Sequence, residues 1–251
     1  MGSPHQASQQ AGTRINKYIA HTGYCSRRDA DTLVAEGRVT LDGEVVTQHG
    51  TRVQSGQTVR VDGEVVEPVP FDYLLLHKPK NTISTTDDPK DRDTVLDVIG
   101  VPDDNPDGLF PVGRLDRNTT GALLVTNDGD LAHKLMHPRY EVSKIYFART
   151  RKPFKPHLID RLQRGVSLDD GRAAADRVAY IRNDDPHGIA LEIHEGRNRQ
   201  IRRMFEALGH ELSQLERVKY AGLTCDGLAR GEWRRLHPGE VDALYRRVNH
   251  S

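Results

Sequence analysis

From Tyr73 onward, apolar segments of two kinds follow one another without a fixed beat, and this mixture restricts the fold more than any other feature. "YLLLHKPKNTISTT", "GALLVTN", "KIYFART" and "IALEIHE" begin with or contain strand-like apolar runs. "DLAHKLMH", "KPHLIDRLQRG" and "QIRRMFEALG" instead space their apolar residues as helices do. A regular strand–helix alternation would imply a parallel, doubly wound sheet. Irregular interleaving implies an α+β domain with a mixed, mainly antiparallel sheet.

The residues before Tyr73 describe something smaller. Ile15, Tyr18, Ile19 and Thr22 follow helical spacing, and Gly23 suits a left-handed cap. Ser26, with Asp29 three residues on, reads as the N-cap of a second helix whose stripe is Ala30, Leu33 and Val34, closed by Gly37. "RVTLDGEVV" and "VRVDGEVV" each place Asp-Gly between alternating residues, the signature of a tight hairpin. One such pair falls short of a repeat array. The expected organisation is a tail over 1–13, disordered by its polar, Gln- and Ser-rich composition, a small module over 14–66, a proline-containing linker over 67–72 and a larger domain over 73–247.

Composition excludes several classes. Lys+Arg and Asp+Glu are both 36, so the chain is not polybasic, although local basic faces remain possible. No apolar run approaches a membrane span, and the first residues lack the apolar core of a secretion signal. Two cysteines, Cys25 and Cys225, with no CxxC, fit a reducing cytoplasm rather than a disulfide or cysteine–zinc scaffold. No phosphate-cradling glycine motif, GxSxG or HExxH is present. His133 and His137 have metal-ligand spacing, but Pro138 follows at once and no third ligand is suggested; no metal is expected.

Two stretches carry candidate chemistry. "GRLDRNTTG" sets Asp116 between Arg114 and Arg117 in a polar, glycine-bounded segment. The aspartate could shape a turn, form an ordinary ion pair or be held ionised for a reaction. In "EGRNRQIRRMFEALG", Ile201, Met204, Phe205 and Leu208 form an apolar helical stripe. Continuing that wheel to Arg199 sends Arg199 and Arg203 away from the stripe as an i, i+4 pair, whereas Arg202 lies at its margin. A guanidinium at such a boundary is partly buried and needs a carboxylate; Asp116 is the candidate. Arg14, Lys17, Arg27, Arg28 and Arg38 gather on the helical part of the small module, where they fit either an RNA backbone or a solvated surface.

These residues resemble two known patterns. Arg14, Lys17, Gly23, "SRRDA", "EGRV" and the Asp-Gly hairpin resemble the small RNA-binding module first known from a small-subunit ribosomal protein, the S-four domain. "GRLDRNTTGALLVTNDGDLAHKLMHP", "SKIY" and "EGRNRQIRRMFEALGHELSQLERVKYAGL" resemble the ribosomal-RNA pseudouridine synthases of the RsuA and RluB type, from Arg14 to about Tyr245. The resemblance implies a small α/β RNA-binding module followed by an α+β catalytic domain of the pseudouridine synthase fold. By position, Asp116 matches the catalytic aspartate, Tyr146 the aromatic that stacks on the target base and Arg202 the aspartate's basic partner. Ile201 matches a pocket-lining residue, and Arg114 is assigned to the RNA backbone or to bracing the loop. Arg197, Arg199 and Arg203, with Arg217 and Lys219 after them, are further phosphate candidates. The chain departs from the pattern at Asn81, where glycine is usual and where asparagine tolerates a left-handed backbone, and at Ala122, in place of leucine.

The implied reaction moves uracil from an N1 to a C5 linkage without redox change, so no cofactor is required. Pairing with a guanidinium would keep the aspartate ionised and aimed. The implied partner is ribosomal RNA, with 23S favoured, acted on by a cytoplasmic monomer. The rival readings are a catalytically silent rRNA-binding assembly factor and a synthase for tRNA or 16S rRNA.

Overall fold

The computed structural model describes residues 12–249 apart from 87, 89, 91, 103, 104 and 106. Two units emerge, one of residues up to Asp72 together with Pro102–Leu109, the other of Tyr73–Val101 together with Phe110 onward. The association of Pro102–Leu109 with the first unit is not visible in a linear division at residue 73. Most of the expected tail lies outside the described residues, and Thr13 already begins a strand.

The first unit contains β1 (Thr13–Arg14), α1 (Ile15–His21), α2 (Arg27–Ala35), β2 (Val39–Leu41), β3 (Glu44–Val45), β4 (Arg52–Val53), β5 (Val59–Val61) and β6 (Glu64–Val65). α1 stops at Thr22, and Gly23 takes φ 76°, the left-handed exit its sequence suggested. Ser26 caps α2 by accepting from the Asp29 N–H. In the hairpins, Asp42 and Gly43 have φ 53° and 91°, and Asp62 and Gly63 have φ 51° and 89°. Two successive positive-φ residues give the tight turn whose twist matches its strands. The hairpins join through β2 and β5 as a four-stranded sheet, β3-β2-β5-β6. Ile15 and Ile19 of α1, Ala30 and Val34 of α2, and Val39, Val59 and Val61 of the sheet are fully buried in one core.

The second unit comprises β7 (Tyr73–Lys78), α3 (Val95–Ile99), β8 (Phe110–Pro111), β9 (Thr120–Thr126), α4 (Gly129–Met136), β10 (Lys144–Thr150), α5 (Pro156–Arg164), β11 (Val166–Leu168), β12 (Gly171–Ala173), β13 (Arg177–Tyr180), β14 (Gly188–Ile193), α6 (Gln200–Ala207), β15 (Leu212–Tyr220), β16 (Leu223–Thr224), β17 (Trp233–Arg235) and α7 (Pro238–Asn249). Its nine-stranded sheet runs β13-β14-β10-β15-β9-β7-β17, with β16 beside β15 and β8 beside β9. Among the described strand pairings of this sheet only β9 with β15 is parallel, as befits a mixed, mainly antiparallel sheet. α4 and α7 cover one face over Leu75, Leu124, Leu131, Leu135, Tyr220, Leu244 and Val248. Asp128 caps α4 and accepts from the hydroxyls of Tyr73 and Tyr245, tying β7 and the last helix to the end of β9. No described helix is long and apolar enough to cross a membrane.

At the parallel seam, β9 and β15 meet through two residue pairs, Thr120 with Glu216 and Gly121 with Arg217. A Cβ on Gly121 would lie 2.2 Å from the Arg217 carbonyl oxygen, and its φ of 112° is open only to glycine. The strands approach this closely because residue 121 has no side chain.

Candidate active site

The segment Gly113–Thr119 leads into β9 at this seam. Leu115 is buried and anchors it, and the Thr119 N–H closes a turn onto the Asp116 carbonyl at 2.9 Å. Two residues of "KPKNTIST" fasten it from below. The Ser84 hydroxyl donates to the Leu115 carbonyl at 3.1 Å and accepts from the Leu115 N–H at 3.2 Å. Lys78, fully buried at the end of β7, places its ammonium among the carbonyls of Pro79 (3.0 Å), Asp116 (3.3 Å), Arg117 (3.3 Å) and Thr119 (3.1 Å). Burial pushes this ammonium down to about 8; Asp116 opposes that shift and Arg217 adds to it. Asn81 takes φ 64°, so the left-handed turn survives without glycine.

The Asp116 carboxylate projects from this fastened loop. Its Oδ2 lies 3.7 Å from Arg202 Nε and 3.8 Å from Arg199 Nη1. These separations exceed hydrogen-bond length, so the pairing is electrostatic and the carboxylate is not clamped by a guanidinium fork. Arg202 Nη2 reaches Thr119 Oγ1 at 3.5 Å, while its Nε is buried without a hydrogen-bond partner. Burial, with help from the nearby Arg199 charge, lowers the Arg202 guanidinium from its usual value; arginine starts so high that it stays cationic.

The boundary position read from the helical wheel holds for Arg202, whose side chain is 13% exposed against 49% for Arg199. The wheel fails for Arg199. α6 begins at Gln200, and Arg199 is its N-cap with φ 47° and ψ 29°, so a helical projection does not reach residue 199. Its side chain turns toward Asp116 and also lies 3.9 Å from Glu206, instead of pairing in register with Arg203. Arg203 does leave the apolar stripe, and meets Asp170 at 2.9 Å.

Asp116 opens onto a cleft of about 730 Å³ in the second unit, lined also by Arg114, Tyr146, Ile201, Arg202 and Arg217. That volume is within the usual range for small-molecule clefts and admits a nucleoside. Tyr146, on β10, is largely buried and contributes to the wall. Ile201 is a buried wall residue, whereas Arg114 is exposed at the rim. Lys144 also lines the cleft; its ammonium donates to the carbonyls of Val142 (2.9 Å) and His194 (2.8 Å), and burial pushes it down to about 8.

The phosphate candidates divide into two sets. Arg14, Arg27 and Arg28 are exposed and Lys17 is half-buried in the first unit. Arg38, by contrast, is joined to Asp62 at 2.6 Å and to Glu36 at 3.2 Å. Arg197 is engaged by Glu195 at 3.1 Å, Asp170 at 3.5 Å and the Arg172 carbonyl at 2.8 Å. Lys219 is exposed, whereas Arg217 is buried and so is not placed as a surface phosphate contact. The rings of His133 and His137 are 5.5 Å apart, and no group of three His, Cys, Asp or Glu among the described residues is placed to hold a metal.

Asp116, Tyr146, Ile201 and Arg202 all fall within a segment that matches a known family. Residues 72–207 match the RNA pseudouridylate synthase family and residues 13–59 match the S4 domain. The chain belongs to the RNA pseudouridylate synthase family. It is a pseudouridine synthase whose first unit carries an S4 domain. It is 43% identical over 240 residues to the ribosomal large subunit pseudouridine synthase B of Bacillus subtilis (strain 168), covering 94% of this chain and 97% of that protein. It is also 33% identical over 244 residues to the dual-specificity RNA pseudouridine synthase RluF of Escherichia coli (strain K12), covering 96% and 81%. A crystal structure of a pseudouridylate synthase superposes with TM-score 0.65 at 26% identity, covering 93% of this chain and all of that one.

Sequence reasoning overlooked Lys78 and Ser84 as parts of this site. The run "YLLLHK" carries no alternation that would mark Lys78 as inward, since Leu74, Leu75 and Leu76 are all buried.

Proposed function

We propose that this synthase converts a uridine of large-subunit ribosomal RNA to pseudouridine, with Asp116 as the catalytic carboxylate. The observation that carries this reading is the single carboxylate on a fastened loop, 3.7 Å from a largely buried arginine and open to a base-sized cleft. Similarity across almost the whole length of a protein named for the large ribosomal subunit supports that substrate. In this reading the first unit grips structured RNA by shape and phosphates, using Arg14, Lys17, Arg27 and Arg28. The target uridine leaves its stack and rests on Tyr146, with Ile201 against it.

Asp116 then attacks C1′, or takes a proton from C2′ to give a glycal, as the N1–C1′ bond breaks. The base rotates and C5 bonds to C1′, displacing the Asp116 carboxylate on the first route or, on the second, with return of the abstracted proton to C2′; the C5 proton then departs and N1 gains a proton. Arg202, 3.7 Å away, is the carboxylate's electrostatic partner. The same reading makes the protein a monomer acting in the cytoplasm, since one chain carries both RNA-binding and catalytic parts.

The test is to express the protein in cells lacking their native synthase and map pseudouridines in all stable RNAs. A new site in 23S rRNA supports the reading. A site confined to 16S rRNA or tRNA overturns the substrate assignment. Binding to rRNA with no new pseudouridine overturns the enzymatic role.

A further inference from the structure

Arg217 takes no part in the chemistry of Asp116, yet it occupies the floor of the cleft. Its side chain is almost wholly buried at the β9–β15 seam. Nε donates to the Ala122 carbonyl at 2.8 Å, and the guanidinium lies 4.5 Å from the centroid of the Tyr220 ring. Nη2 is buried and has no hydrogen-bond partner. Among the described residues, no carboxylate pairs with it. A buried cation with an unused donor destabilises a fold unless the donor serves another molecule. Its charge also disfavours the buried ammonium groups of Lys78 and Lys144, a further strain on the same small region.

The sheet sets this group beside the base platform. Tyr146 and Arg217 are directly opposed residues of β10 and β15, at a register shift where Val218 is the extra residue. Opposed residues project from the same face, and a bulge re-aims its neighbours. Both line the cleft. Arginine donates only, and uracil offers two carbonyl oxygens as acceptors.

We propose that Arg217 is a nucleobase-binding residue, its guanidinium donating to a carbonyl oxygen of the uracil held on Tyr146. This assignment rests on the reading of Asp116 as the catalytic carboxylate and Tyr146 as the base platform. Tyr220 and the Ala122 carbonyl fix the guanidinium plane, so its remaining N–H groups are presented without the rotamer search an exposed arginine would need. The donor favours a base with an acceptor at the contacted position.

The test is a cycle between protein and RNA. The full chain, wild type and Arg217→Met, is given the RNA stem-loop found by mapping, carrying uridine, 2-thiouridine or 4-thiouridine at the target. Single-turnover rates are measured under saturating enzyme. Sulfur is the weaker acceptor, so wild type slows at least about tenfold on one of the two thio-RNAs, and that RNA identifies the contacted oxygen. Arg217→Met slows by a similar factor on the uridine RNA and shows no further loss on that thio-RNA, a non-additivity that a purely structural role does not produce. Full wild-type rates on both thio-RNAs would overturn the assignment without any variant. So would a thio penalty that persists unchanged in Arg217→Met, or in Arg217→Leu should the methionine variant not fold. Wild type inert on every RNA would sink the proposed function itself, whereas an active wild type with no coupling would sink the Arg217 contact alone.

Discussion

Replacing Lys78 by methionine separates the stability of this protein from its activity. The ammonium serves four carbonyls, and one of them, Asp116 O, keeps the Thr119 N–H at 2.9 Å after substitution. The carbonyls of Pro79, Arg117 and Thr119 lose this donor, a loss of roughly 1–2 kcal/mol each if they stay dry. Against this, the substitution removes a buried charge. The fall of the ammonium from 10.5 to about 8 corresponds to roughly 3 kcal/mol. The two terms largely offset, leaving a net destabilisation of about 0–3 kcal/mol and a melting shift of at most roughly 12 °C for a domain of this size. Activity has no such offset. The freed carbonyls belong to the loop that aims Asp116, and a displacement of about 1 Å lowers the rate on the order of 10²-fold. Thermal melting of Lys78→Met beside kcat/KM on the mapped RNA measures both quantities. A folded variant within threefold of wild-type kcat/KM would refute the idea that Lys78 holds the loop.

Other consequences arise from the same geometry. Lys78 and Lys144 both sit near 8, so kcat/KM declines above about pH 8; a flat profile to pH 9.5 contradicts this. The stability contribution has the opposite sign: between about 8 and 10.5 only the unfolded chain holds the proton, so these two lysines make the fold more stable as pH rises through that window. Denaturant midpoints at pH 7.5 and 9.5 read it, after correction with the Lys78→Met and Lys144→Met variants. Tyr146→Phe retains a stacking face and keeps substrate binding within about threefold, whereas Tyr146→Ala loses about 1–3 kcal/mol of base stacking; equal RNA affinities for the two variants would remove the platform role. Gly121→Ala forces a Cβ to within 2.2 Å of the Arg217 carbonyl and destabilises by on the order of 3 kcal/mol. An unchanged urea midpoint would show that the seam tolerates a side chain.

Local patterns were legible where one residue type answers one backbone demand. The Asp-Gly turns, the Ser26 cap, the left-handed Asn81 and the boundary position of Arg202 each follow from such a demand. Arg199 was misplaced because a helical wheel presumes that the helix has already begun, and the chain enters α6 through a left-handed residue. The burial of Lys78 and of Arg217 escaped notice for another reason. Charged residues are read as solvated unless a tertiary partner is known, and their partners are backbone carbonyls far along the chain. The contribution of Pro102–Leu109 to the first unit is likewise a tertiary event with no periodicity to announce it. The paired arginines of Asp170 show the converse: Arg197 and Arg203 look like phosphate ligands in sequence, yet each already faces a carboxylate.

The most direct test is the in vitro turnover of Asp116→Asn on the mapped stem-loop, with RNA affinity measured in parallel. Asparagine keeps the size and the turn but carries no negative charge and is a poor nucleophile and base. The account predicts RNA binding within a few-fold of wild type and a rate reduced at least about 10³-fold, or about 4 kcal/mol of transition-state stabilisation. Asp116→Asn turning over within tenfold of wild type would contradict it, since the reaction would then proceed without the carboxylate that the whole loop is built to hold.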